Sequence, residues 1–329
     1  MPAASIALVS SGRSSFVEAD AVILAREYEV RRLEWSGRNT YRALREAVRD
    51  SDLVFCWFAG DHAAVAGFVA RRHRRPVVLV AGGADVAAQH DIGYGAMAGS
   101  WRSRISTRLS IRLADLVLPF SEFSASEILR VRKPRRMEVL YLGVDVNRFA
   151  PLGAKEDLAV TAGAITESNL RRKGHATFVE ASRKVPGIRF VLAGAVDRSM
   201  ETDLRSSPPP NLELPGYLSD DELLALYRRA KVYVQASAHE GFGLAVAEAM
   251  ACGCVPVVTR RGSLPEVVGD TGVYVEYGDA DSTAEGIRTA LSHPADGTRA
   301  RERVVQRFPI GRRADRLLRL VSDLLAGGR

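Results

Sequence analysis

The stretch that most restricts how this 329-residue chain can fold runs from Val232 to Val258. It holds a β-prone run, Val232-Tyr233-Val234, then a turn bracketed by Gly241 and Gly243. An alanine-rich run with strong helix propensity follows, and then the buried-type run Val255-Pro256-Val257-Val258. Strand, tight loop, helix, strand is one βαβ unit, and it commits the chain to an α/β layer architecture. Inside it, His239 to Cys254 reads HEGFGLAVAEAMACGC, with seven residues between Glu240 and Glu248. The glycine turn delivers backbone N–H groups at a helix N-terminus, where the dipole and the orphan donors favour an anion such as a phosphate. Each ionised carboxylate accepts two hydroxyl hydrogen bonds, so the pair suits neighbouring sugar diols with a phosphate between them.

The same β/α alternation runs along the rest of the chain. Strands are predicted at 6–10, 30–35, 53–58, 77–80 and 116–119, with helices at 16–27, 40–49 and 63–72 between them. Short connections of this kind indicate a parallel, doubly wound sheet, which binds ligands beyond the C-terminal strand ends. Gly82-Gly83-Ala84-Asp85 stands at such an end, so Asp85 is a candidate acid there; a surface turn is the other reading. Pro151 to Glu156 reads as a linker, and the pattern restarts at Leu158, so two domains are expected, 1–150 and 151–329. Ser219-Asp220-Asp221-Glu222 is a capping box. A tail from Phe308 carries leucines at helical spacing.

From Gly93 to Arg112, Trp101, Ile105 and Leu109 recur every fourth residue among Arg102, Arg104, Arg108 and Arg112. Such a stripe fits a surface helix packed on its own sheet, which is the expectation carried forward. It also fits a helix resting on an anionic membrane.

The net charge of +7 favours anionic partners. A nucleic-acid role is not expected, because only 7% of residues are aromatic and no aromatic-basic stripe is present. No apolar run reaches the ~20 residues that span a bilayer. The first residues lack the pattern of a signal peptide, and the cytoplasm is the expected location. Cys56, Cys252 and Cys254 suit a reducing compartment, and Cys252-Gly253-Cys254 has neither zinc nor redox spacing, so packing is the expectation.

The E-G-F-G-L run within the spaced glutamates, followed by A-E-A-M-A-C-G and P-V-V, resembles the E-x7-E motif of retaining glycosyltransferases with the GT-B fold, particularly family 4. Gly143-Val144-Asp145 with Phe149 resembles the segment closing the first domain of that family. Lys173-Gly174 matches its Lys-Gly pair, and 261–268 its G-x-P-E loop. The resemblance implies two Rossmann-like βαβ domains facing across a cleft, with the tail helix (308–329) packing back on the first. It implies transfer of a hexose from a nucleotide-diphosphate sugar to a hydroxyl of a lipid, glycan or small molecule, with retention and without metal or other cofactor.

The roles it implies are specific. Glu240 holds the hexose hydroxyls and Glu248 the ribose, while Lys173 and the N–H groups of Phe242, Gly243 and Leu244 hold the diphosphate. Backbone near Leu218 holds the base, and Gly12 lets the first loop approach the donor phosphates. An arginine of the family pattern is replaced by Ala164, and Arg172 is the candidate to supply its charge. Asp85 and His90 fall on the acceptor side. Two other readings stand beside this one: a catalytically silent nucleotide-sugar or membrane-surface binding protein of the same fold, and a nucleotide-sugar 2-epimerase, which lacks the glycine-loop motif.

Overall fold

A computed structural model describes residues 4–12, 14–197 and 208–327. The chain divides into two compact units, one of residues 1–142 with 311–329 and the other of residues 143–310. The sequence pattern predicts the division at 150/151. The structure assigns 143–150 to the second unit, because Val144 bridges Pro309 and Gly143 packs against Ile310.

In the first unit, strands β1 (Ser5–Ser10), β2 (Glu29–Glu34), β3 (Leu53–Trp57), β4 (Val77–Ala81) and β5 (Leu116–Pro119) form a parallel sheet in the order β2-β1-β3-β4-β5. Four of them are buried along their whole length, whereas edge strand β2 is mostly exposed. Helices α1 (Ser15–Leu24), α2 (Tyr41–Arg49), α3 (Asp61–Arg72) and α4 (Trp101–Leu113) connect them, and α5 (Glu122–Val131) follows β5. Right-handed crossovers between parallel strands require such helices, which explains the alternation in the sequence.

The second unit carries β6 (Glu156–Ala162), β7 (Arg189–Ala193), β8 (Leu212–Gly216), β9 (Ala230–Gln235), β10 (Val255–Thr259) and β11 (Val273–Val275), in the order β11-β10-β9-β6-β7-β8. Its helices among the described residues are α6 (Glu167–Arg172), α7 (His175–Lys184), α8 (Asp220–Arg229), α9 (Leu244–Ala251), α10 (Leu264–Val268), α11 (Ala280–Ser292) and α12 (Ala295–Arg307). The chain runs outward from β6 to β8, then returns to β9 and runs outward the other way. The strand order therefore reverses between β6 and β9, and ligands of such sheets bind beyond the C-terminal strand ends at a reversal of this kind.

Helix α13 (Ile310–Gly327) closes the first unit. Arg313 makes a two-pronged pair with Asp20 of α1, both contacts at 2.7 Å, and donates to the carbonyls of Leu140 and Tyr141 at 2.8 and 2.9 Å. The two side chains are 2% and 0% exposed. Removing one partner of such a pair strands a charge away from water. Arg313→Leu should therefore lower the stability of the first unit by about 3–5 kcal/mol, and the Arg313→Leu, Asp20→Leu double variant by less. Urea unfolding followed by tryptophan fluorescence reads this directly, since Trp35, Trp57 and Trp101 all lie in that unit.

Candidate active site

The segments following β6 and β9, the two strands at the reversal, bring Arg172, Lys173 and Glu240 together. After β6, Gly163 leaves room for the Lys173 side chain; a Cβ there would fall 2.9 Å from its Cδ. Helix α6 ends at Arg172, and Gly174 (φ 72°) turns the chain into α7. A side chain at Gly174 would meet the Ala236 carbonyl at 2.1 Å, and Ala238 N donates to Arg172 O at 2.8 Å. The Lys-Gly pair thus lies directly against the loop that leaves β9. Gly262 (φ 62°) packs as closely on the other side, 2.5 Å from the Glu240 carbonyl to a would-be Cβ.

Lys173 Nζ stands 3.4 Å and Arg172 Nη1 3.7 Å from Glu240 Oε1. Gln235 Nε2 and Ser237 Oγ donate to the same oxygen at 3.1 and 3.2 Å. Burial pushes the Glu240 carboxyl up, but Lys173, Arg172 and the other neighbours outweigh it and hold the group below the usual carboxylate range. Glu240 is therefore an anion at neutral pH. His175, at the start of α7, is fully buried, and neither ring nitrogen has a hydrogen-bond partner among the described residues. Burial, then the charges of Lys173 and Arg172, push it down to about 3, so it stays neutral.

The turn after Glu240 is anchored by Phe242, which is 2% exposed and packs edge-on against Phe308 at 5.4 Å. Gly243 (φ 85°) is the N-cap of α9 and supplies no side-chain cap, so the first N–H groups of that helix have no intrahelical acceptor. Glu248 sits in the same helix in an opposite state. Among the described residues no hydrogen bond or ion pair reaches its carboxylate. Burial, with Asp220 adding, raises it to about 8. Eight residues apart, one glutamate is an anion and the other a neutral acid at pH 7.

The remaining candidates lie elsewhere. Leu218, between β8 and α8, is half buried, and its side chain lines a pocket of about 250 Å³ with Pro215, Glu222 and Leu226. Ser219 and Glu222 form the capping box read from the sequence. In the first unit, Gly12 follows β1 with open space where a Cβ would stand. Asp85 is not in a surface turn: it is 7% exposed, and its carboxylate accepts from the backbone N–H groups of Ala59, Gly82 and Gly83 at 2.8, 3.2 and 2.7 Å. It ties the ends of β3 and β4 together; burial raises its carboxyl despite those donors. His90 is exposed.

The α4 stripe differs from the expectation. Ser106, Thr107, Ser110 and Ile111 form its buried face, while Trp101, Ile105 and Leu109 stand 67%, 47% and 41% exposed. Apart from Ile111, the inward contacts are made by small side chains, where α3 packs closely; a Cβ on Gly67 would lie 2.8 Å from Leu113 Cβ. Sequence reasoning missed Gln235, Ser237 and His175. For Gln235 and Ser237 the available signal was two polar residues at alternate positions, at the end of a mostly apolar strand and just beyond it. Cys56, Cys252 and Cys254 are buried free thiols, and burial pushes the first two up to about 12.

A sequence profile described as "Glycosyl transferases group 1" matches residues 156–307, and one described as "Glycosyltransferase Family 4" matches residues 7–148. The O-antigen chain mannosyltransferase B of Escherichia coli is 30% identical over 205 residues, which are 55% of this chain and 53% of that protein. The GDP-mannose:cellobiosyl-diphosphopolyprenol alpha-mannosyltransferase of Xanthomonas oryzae is 25% identical over 279 residues, 80% of this chain and 72% of that protein. The match thus spans about half the length of the first relative. Sucrose-phosphate synthase from Thermosynechococcus elongatus superposes with a TM-score of 0.82 at 20% identity, covering 98% of this chain and 100% of its own. The chain belongs to the group 1, or family 4, glycosyltransferases, a family of transferase enzymes whose GT-B fold pairs two Rossmann-like domains.

The raised Glu248 gives a signed prediction. Between about pH 4.5 and 8 the folded protein keeps this proton while the unfolded chain has lost it, so stability falls as pH rises through that window. Glu248→Gln removes the effect. In thermal unfolding its Tm should exceed wild type by a margin that grows from pH 4.5 to 8 and then levels; a pH-independent margin would contradict the assignment.

Proposed function

We propose that this chain is a retaining, metal-independent hexosyltransferase that uses a nucleoside-diphosphate sugar. The observation carrying this reading is the anionic Glu240 beside Lys173 and Arg172, one helical segment from the neutral Glu248, with a glycine-capped helix start between them. In this reading Lys173, Arg172 and the N–H groups of Phe242, Gly243 and Leu244 bind the diphosphate. Glu240 binds hydroxyls of the transferred sugar, and Glu248, unengaged by its own protein among the described residues, binds the ribose diol. The backbone around Leu218 receives the base. Gly12 is proposed for the phosphates and His90 for the acceptor side by the family resemblance; Asp85, proposed for the same side, holds the Gly82-Gly83 loop. The names of the two relatives favour mannose as the transferred sugar, and that of the second favours GDP-mannose as the first donor to test, with a lipid or glycan hydroxyl as acceptor.

The chemistry follows from charge. Breaking the bond from anomeric carbon to phosphate oxygen builds negative charge on the leaving diphosphate and positive charge on the sugar carbon. Fixed cations and N–H dipoles meeting the first are worth roughly 3 kcal/mol per well-placed donor. Glu240 eases the second through the hydroxyls it holds. The acceptor hydroxyl then attacks from the face the diphosphate leaves, and its proton passes to the departing phosphate. With cations from the protein in this place, turnover should persist in excess EDTA; complete loss, restored by magnesium or manganese, would overturn metal independence.

The two glutamates should separate kinetically. Glu240 touches the group whose charge changes in the transition state, so Glu240→Gln should lower kcat strongly with little change in donor KM. Glu248→Gln should chiefly raise donor KM, by about 0.5–1.5 kcal/mol, the scale of neutral hydrogen bonds to the ribose. Lys173→Ala should weaken a nucleoside diphosphate far more than the nucleoside. Steady-state kinetics and calorimetry on folded variants read all three.

Peripheral attachment to an anionic membrane belongs to the same proposal. The exposed line Trp101, Ile105 and Leu109 runs between Arg102, Arg108 and Arg112, and α4 carries no acid. None of these arginines has an ion pair among the described residues. An apolar line flanked by uncompensated cations fits the boundary of an anionic bilayer, each arginine contributing about 1 kcal/mol. No helix among the described residues is long and apolar enough to cross a membrane. Flotation should occur with anionic liposomes at low salt, weaken at high salt, and diminish in a Trp101→Ser, Ile105→Ser variant; failure in every condition would remove this part.

A further inference from the structure

We infer that Gln235 is a positioning residue for Glu240, the part of a buried polar ladder that keeps this carboxylate fixed once its cations turn to the donor. The inference rests on the reading of Glu240 given above. Side chains alternate along a strand, so Tyr233 and Gln235 of β9 and Ser237 just beyond it share one face. They are 0%, 1% and 0% exposed, and β9 lies between β6 and β10 inside the sheet. Polar side chains are costly at such positions unless they are bonded. Here they bond in series. Tyr233 OH donates to Gln235 Oε1 at 3.2 Å, and Gln235 Nε2 donates to Ser237 Oγ at 2.6 Å and to Glu240 Oε1 at 3.1 Å. Ser237 Oγ donates to Glu240 Oε1 at 3.2 Å, while its carbonyl accepts from Thr259 Oγ1 at 2.6 Å.

Two features of this geometry assign the role. The Tyr233 hydroxyl occupies the Gln235 carbonyl oxygen, which turns the amide N–H groups toward Glu240. The neutral donors also lie closer to Glu240 Oε1 than either cation, at 3.1 and 3.2 Å against 3.4 and 3.7 Å. A diphosphate that draws Lys173 and Arg172 away therefore leaves Oε1 still pinned. Oε2, which accepts no hydrogen bond among the described residues, stays free for a sugar hydroxyl. A lysine partner alone would release the carboxylate at the moment it is needed.

The test is Gln235→Met, which keeps length and removes both donors. Crystal structures of wild type and variant should show Glu240 leaving its wild-type rotamer. Nucleoside-diphosphate affinity should stay within about twofold while kcat falls about 10–100-fold, the scale expected when a reacting group is misplaced by about 1 Å. An unmoved Glu240, or equal losses in diphosphate affinity and kcat, would overturn the inference. If Gln235→Met does not fold, Tyr233→Phe removes only the hydroxyl that sets the amide. It should lower kcat at unchanged diphosphate affinity, and unchanged kcat would overturn the inference. The rotamer is read without turnover, so wild type consuming no nucleotide sugar would sink the proposed function and leave Glu240's orientation to decide the role of Gln235.

Discussion

Holding an ionised carboxylate largely out of water, at the point where a parallel sheet reverses its strand order, is the constraint around which the second unit is arranged. A buried carboxylate alone would take up a proton. Glu240 does not, because two cations from the segment after β6 and two neutral donors from β9 converge on one of its oxygens. The backbone then has little freedom. Gly174 and Gly262 approach the Ala236 to Glu240 loop too closely for a side chain, and the loop has one course to take.

Glu248 shows the same physics with the other outcome. It sits one turn into α9, without the cations that surround Glu240, and with Asp220 adding to the effect of burial, so it keeps its proton near neutrality. The contrast matches the tasks proposed for them. One group must carry charge beside a reacting centre. The other can hold hydroxyls as donor and acceptor without adding charge near a diphosphate.

In the first unit, tight packing at α3 and α4 displaces large side chains outward. The small face of α4 is buried, and the tryptophan, isoleucine and leucine that periodicity alone assigned to the interior stand in solvent among arginines. Asp85 moved the opposite way, from an expected surface turn or site acid to a buried brace between strand ends. A hydrophobic period says that a helix has two faces, and it does not say which face the sheet takes.

The alternating strands, the capping box at Ser219, the glycine turn between Glu240 and Glu248 and the Lys-Gly pair were legible from residue order, because each rests on interactions within a few residues. The two Rossmann-like units followed from that local pattern. Only the tertiary structure decided which distant groups meet: Arg172 and Lys173 with Glu240, the Tyr233-Gln235-Ser237 ladder behind it, and the Asp20–Arg313 pair that joins the chain's two ends within one unit. It also decided protonation, since the two glutamates of the motif are chemically identical in sequence. What separates them is the number of cations and hydrogen-bond donors around each, and both are set by packing across the sheet.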